Sequence, residues 1–126
     1  MRFPLLAALI LLAVPLRAAR AEDPPPRVQT TFANLMNSLQ KGDYQGLFIG
    51  ATETFQKGLT PQMAAAVTAQ LAPRMNEGYS AQFLTSQRKA SYQIYLWKLS
   101  FHDEKDDLLA KVVIDKDGRV AGFWID

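Results

Sequence analysis

Cysteine is absent from this 126-residue chain, and histidine occurs once, at His102. Without cysteine there is no disulfide framework, no thiol nucleophile, no lipid-modified N-terminal cysteine and no cysteine-ligated metal site. One imidazole cannot build a histidine cluster. Glycine-rich phosphate loops and serine nucleophile elbows are missing as well. A concentrated charge of one sign is also lacking. The formal charge is +2, but three of the fourteen basic residues (Arg2, Arg17, Arg20) lie in a leader segment, which leaves eleven against twelve acidic groups, or −1. A near-neutral surface with scattered charges carries no electrostatic footprint for nucleic acid or for an anionic membrane.

The longest apolar run, Phe3 to Leu16, has fourteen residues and contains Pro4 and Pro15. It falls short of the roughly 20 residues that cross a bilayer, so no stable membrane anchor is expected. With Met1-Arg2 before it and Ala19-Arg20-Ala21 after it, the run has the layout of a signal peptide cleaved after Ala21, implying a secreted or periplasmic protein. Residues 22–26, Glu-Asp-Pro-Pro-Pro, read as an extended polyproline spacer without packed contacts. A single α+β domain is expected over residues 27–126.

Within that domain the apolar period changes once. Val28, Phe32, Leu35, Met36 and Leu39 recur at steps of three and four, the stripe of an amphipathic helix, and Gly42 stops it. Asp43 can cap a short second helix that turns Tyr44, Leu47 and Phe48 inward. Thr60-Pro61 is a strong third start, with Met63, Val67 and Leu71 as the expected buried stripe, and Pro73 ends or bends that helix. After Gly78 the period becomes two. Strands are expected from Tyr79, over Ser91–Phe101, over Leu108–Ile114 and over Val120–Ile125, with Asp115-Lys116-Asp117-Gly118 as a hairpin turn. Helices followed by strands predict an α+β fold with the N-terminal helices packed on one face of a curved, cone-like four-stranded antiparallel sheet.

The second strand is apolar on both sides. If the helices shield one face, Tyr95, Trp97, Leu99 and Phe101 are expected on the other, where a few hundred Å² of bare aromatic surface would represent several kcal/mol of missing burial. That imbalance predicts a covering partner: a second copy in a homodimer, a partner protein, or a small apolar ligand. Tyr44, Phe48, Tyr95, Trp97, Phe101 and Trp124 are the residues expected to meet it.

Lys41-Gly42-Asp43-Tyr44 after the first helix, and the closing run from Leu108 to Phe123, resemble a nuclear-transport-factor-two-like (cystatin-like α+β) domain. The similarity is to the small bacterial domain of unknown function found in exported proteins and ahead of some α/β-hydrolases. It spans roughly Val28 to Ile125 and rests on turns and sheet residues, so it implies a fold and no catalytic set. Ketosteroid isomerases and dehydratases on this fold work inside the cone with a carboxylate base facing tyrosine or protonated-aspartate donors. Asp43, Tyr44, Tyr92, Tyr95 and His102 are the ingredients present, but a helix cap explains Asp43, an exposed loop explains His102, and strand packing explains the tyrosines. Asp103, Glu104, Asp106 and Asp107 lack the spacing of a calcium loop and read as a solvated turn; no metal and no cofactor is expected. The resulting expectation is a non-catalytic exported domain for binding or self-association. The alternatives are a small lyase or isomerase working inside the cone, and an accessory subunit of a periplasmic hydrolase.

Overall fold

A computed structural model describes residues 23–126; the expected signal peptide and its cleavage point after Ala21 lie outside them. Helix α1 spans Pro26–Lys41 and buries the expected stripe of Val28, Phe32, Leu35, Met36 and Leu39. Pro26 occupies its first turn, where a missing N–H costs no hydrogen bond. Gly42, at φ +70°, ends it: the Gly42 and Asp43 N–H groups donate to Leu39 O at 3.3 Å and Ser38 O at 2.8 Å, closing the last carbonyls as a left-handed C-cap does. Asp43 then accepts from the Gly46 N–H at 3.0 Å and opens a 3₁₀ turn over Gln45–Phe48.

Two capped helices follow. Helix α2, Glu53–Gly58, begins at Thr52, whose hydroxyl accepts from the Phe55 N–H at 3.2 Å. Helix α3, Pro61–Asn76, begins at Thr60, which accepts from the Met63 N–H at 3.2 Å. Helix α2 escapes the sequence reading because six residues are too few to show an apolar period. Pro73 does not end α3, which runs on to Asn76. The last turn is held from outside, since Met75 is buried, Asn76 accepts from Gln40 at 2.8 Å, and Arg74 is bound to Asp103. These contacts outweigh the single backbone bond that proline removes.

Strands β1 (Tyr79–Lys89), β2 (Tyr92–Phe101), β3 (Leu108–Ile114) and β4 (Val120–Ile125) form an antiparallel meander in the order β1-β2-β3-β4, and the helices pack on one face of it. The fold class is therefore the expected α+β arrangement. Gly118, at φ +82°, closes the β3–β4 turn, and Asp115 accepts from the Asp117 and Arg119 N–H groups.

Three expectations change. First, Tyr95, Trp97, Leu99 and Phe101 do not form the uncovered side of β2. They face the helices, are at most 8% exposed, and Trp97 stacks on Phe32 with ring centroids 3.9 Å apart and planes 4° from parallel. The even positions face outward instead, because α1 brings Phe32 onto the odd ones and strand alternation fixes the rest. Second, the buried side of α3 is Ala64, Leu71 and Met75, while Met63 and Val67 are exposed. The small Ala64 and Thr68 allow close approach to α1, and the Thr68 hydroxyl donates to Leu39 O at 2.9 Å. Turning those residues toward α1 swings Met63 and Val67 outward. Third, the proline segment packs. Pro25 has the extended φ and ψ of −53° and 147°, but Pro26 belongs to α1, and Pro24 is buried and accepts from Gln29 Nε2 at 2.9 Å.

Candidate functional site

An apolar groove opens where the helices meet the edge strand β4. It has a volume of about 370 Å³, within the range of roughly 300–1,000 Å³ usual for small-molecule sites. Phe55 and Leu59 form its α2 side, Met63 and Val67 its α3 side, and Phe123 and Ile125 its floor. Among the described residues no acid, base or imidazole lines it, and Thr54 supplies the only side-chain hydroxyl.

Local chemistry sets each wall. The Thr52 and Thr60 caps fix the starts of α2 and α3 and so the angle of the Gly58-Leu59 corner between them. Tyr44 clamps that corner, since its hydroxyl donates to Leu59 O at 2.7 Å. Phe48 meets Tyr44 edge-on at 4.7 Å and Phe55 edge-on at 6.3 Å, the arrangement aromatic quadrupoles favour. This chain of rings holds Phe55 upright against the groove. The floor follows from strand alternation: Phe123 pairs with Val112 and Ile125 with Ala110, both core residues.

The expected binding residues therefore separate. Tyr44 and Phe48 support the groove from behind, and Trp124 belongs to its rim. Tyr95, Trp97 and Phe101 do not reach it, because they lie beneath the helices in the core. Phe55, Leu59, Met63, Val67, Phe123 and Ile125 are added. The capping threonine at position 52, followed by Glu53 and Lys57 at a helical i,i+4 spacing, was the available signal for the α2 wall.

The catalytic ingredients do not converge. Asp43 is occupied as a cap and Tyr44 by Leu59 O, while Tyr92 is on the outer face and 42% exposed. His102 lies against Gly78 and is not among the residues that line the groove. Among the described residues no cluster of three or more His, Cys, Asp or Glu is placed to hold a metal, and no helix is long and apolar enough to cross a membrane. Burial pushes the Tyr79 phenol up, which keeps it protonated.

The acidic turn after β2 is not simply solvated. Arg74 Nε donates to Asp103 at 2.6 Å, Arg74 Nη2 donates to Asp103 at 3.3 Å and to Asp106 O at 2.7 Å, and the guanidinium carbon lies 4.0 Å from the Phe101 ring centroid. The Arg74 hydrogen bond, helped by the Lys105 N–H, holds the Asp103 carboxyl below the usual aspartate range. An acid kept ionised in this way is a poor proton acceptor near neutrality, and it serves as a strap between α3 and the β2–β3 turn.

No protein-family model and no curated protein matches the chain. Among solved structures, it is similar to an uncharacterized cystatin-fold protein from Novosphingobium aromaticivorans at 11% identity and a TM-score of 0.42, over 77% of this chain and 95% of that one.

Proposed function

We propose that this is a non-catalytic binding domain that takes an apolar ligand in the groove between α2, α3 and β4, and that it acts outside the cytoplasm after removal of residues 1–21. The observation that carries the binding reading is the groove itself: about 370 Å³ walled by Phe55, Leu59, Met63, Val67, Phe123 and Ile125, with no titratable side chain among the described residues. Such a lining rewards desolvation of an apolar ligand and offers nothing to move a proton. The lyase or isomerase alternative would need a carboxylate facing a tyrosine or acid donor within one cavity, and the accessory-subunit alternative has no separate feature in its favour. The export reading is supported by the charge and apolar pattern of residues 1–21, and an N-terminal sequence of the mature protein beginning at Glu22 is its direct check.

The test uses N-phenyl-1-naphthylamine, whose fluorescence rises in apolar surroundings. Val67 is 36% exposed on the groove wall, so Val67→Asp places a charge in the groove at little cost to the core. The wild-type protein should enhance probe fluorescence saturably, and Val67→Asp should weaken binding at least tenfold with unchanged circular dichroism. Equal binding by both proteins would remove the groove as the site.

Self-association is a second reading, favoured by Tyr92, Leu109 and Trp124 lying exposed on the outer sheet face. Sedimentation of wild type beside Leu109→Lys tests it: a dimer dispersed by the substitution is the expected result, and a wild-type monomer rejects it.

A further inference from the structure

We propose that the free edge of β4 and the groove beside it bind an extended peptide segment of another protein, apolar at alternate positions, by strand addition. The inference rests on the groove being a binding site for apolar ligands, and it specifies the chemistry of the ligand.

The register of β4 leads to it. Leu109 and Asp126 exchange both backbone hydrogen bonds, at 2.7 and 3.0 Å. Antiparallel ladders alternate, so Trp124 and Gly122 direct their N–H and C=O toward β3, while Ile125 and Phe123 direct theirs toward the open edge. Their side chains meanwhile point into the groove floor. One short stretch thus offers backbone donors and acceptors that no described residue pairs, beside an apolar trough, which is what an added strand requires: main-chain bonds for affinity and recesses for alternate side chains. A purely aliphatic ligand would leave these backbone groups unused.

The same edge already holds another segment of the chain through a single bridge. Val120 donates to Gly50 O at 2.8 Å and accepts from the Thr52 N–H at 2.8 Å, a parallel bridge centred on Ala51. The chain then leaves the edge at Thr52 to form α2, and the unpaired positions begin at the next outward-facing residue, Phe123. A bound strand would continue this contact. Edge strands in monomers are commonly guarded by lysine, proline or a bulge. Here Ala121 is the extra residue at the register shift, and from Gly122 to Ile125 no such guard stands. Helix α2 packs against β4, so the trough has walls that suit the side chains of a single strand better than the edge of a second domain.

The test uses a fluorescein-labelled, end-capped heptapeptide of alternating leucine and serine. A matched peptide carries N-methyl groups on alternate residues, which removes backbone donors while keeping the apolar side chains. On the protein, Ile125→Pro deletes an edge-facing N–H without breaking the bonds to β3, and Ile125→Ala is its control for lost side-chain contact. The peptide should bind saturably, N-methylation should weaken it about tenfold, and Ile125→Pro should weaken it several-fold beyond Ile125→Ala, as loss of hydrogen bonds predicts. Amide exchange at Phe123 and Ile125 should slow on binding. If the proline variant fails to fold, the methylated peptide and the exchange measurement still decide. Equal binding of both peptides, no peptide binding by a protein that takes up N-phenyl-1-naphthylamine, or a dimer joined through β4 that the peptide does not disperse would each overturn strand addition while leaving the groove in place. Loss of both peptide and probe binding would overturn the groove reading itself.

Discussion

Replacing Trp97 by alanine distinguishes the core of this protein from its outer surface. Trp97 is 4% exposed, stacked on Phe32 and in edge contact with Phe83. A buried tryptophan removes about 200 Å² from water, which at about 25 cal/mol per Å² corresponds to roughly 5 kcal/mol. Large-to-small substitutions of aromatic core residues typically cost about 3–5 kcal/mol, the cavity included. A loss near 4 kcal/mol is therefore expected. With a denaturant slope of roughly 2 kcal/mol per M, the urea midpoint should fall by about 2 M. The other tryptophan, Trp124, is 52% exposed and covered on one side by Lys111, whose Nζ lies 5.0 Å from its ring centroid. Trp124→Ala should cost about half as much or less, because half of its surface is already in water. Urea unfolding of both variants followed by circular dichroism at 222 nm makes the comparison. Equal losses, or a Trp97 variant that keeps its midpoint and only dissociates an oligomer, would refute the placement of Trp97 beneath α1.

Two further predictions concern the junction of the helical and sheet halves. The folded Asp103 carboxyl is more acidic than its unfolded counterpart, so the unfolded chain binds more protons on acidification. The stability it contributes is complete above about pH 5 and is lost as the pH falls below the ordinary aspartate value of about 3.9 and through the lowered folded value. Asp103→Asn should be less stable at neutral pH and should lose less between pH 5 and pH 2 than the wild type; parallel acid-titration slopes would reject the strap. Gly78 has a φ of +111°, and a Cβ there would lie 2.5 Å from His102 Nδ1. Gly78→Ala should cost about 1–3 kcal/mol by thermal unfolding. Combining it with His102→Ala should restore only part of this, since the backbone strain remains; full restoration would show that crowding alone mattered.

The element order was legible because its signals are local. Gly42, Asp43, Thr60-Pro61 and Asp115 to Gly118 each perform in the structure the stop, cap or turn that their chemistry indicates. The four strands lie close to their expected bounds for the same reason. What failed were choices that depend on distant neighbours. Both sides of β2 are apolar enough to be core, and only the docking of Phe32 selects Tyr95, Trp97, Leu99 and Phe101. On α3, the larger Met63 and Val67 look more like core than Ala64 and Thr68, yet close approach to α1 rewards the small residues. The groove inherits both errors. Its walls are residues freed by that rotation together with a six-residue helix too short to announce itself, so only Tyr44, Phe48 and Trp124 of the expected set lie near it.

Methyl-resolved NMR during titration with N-phenyl-1-naphthylamine shows whether the trough between α2, α3 and β4 is where this protein binds. Saturable shifts are expected at Leu59, Met63, Val67 and Ile125, with little movement at Leu109 and Val113 on the opposite sheet face. Shifts confined to Leu109 and Val113, or no saturable shift at the four groove residues, would contradict binding in the trough.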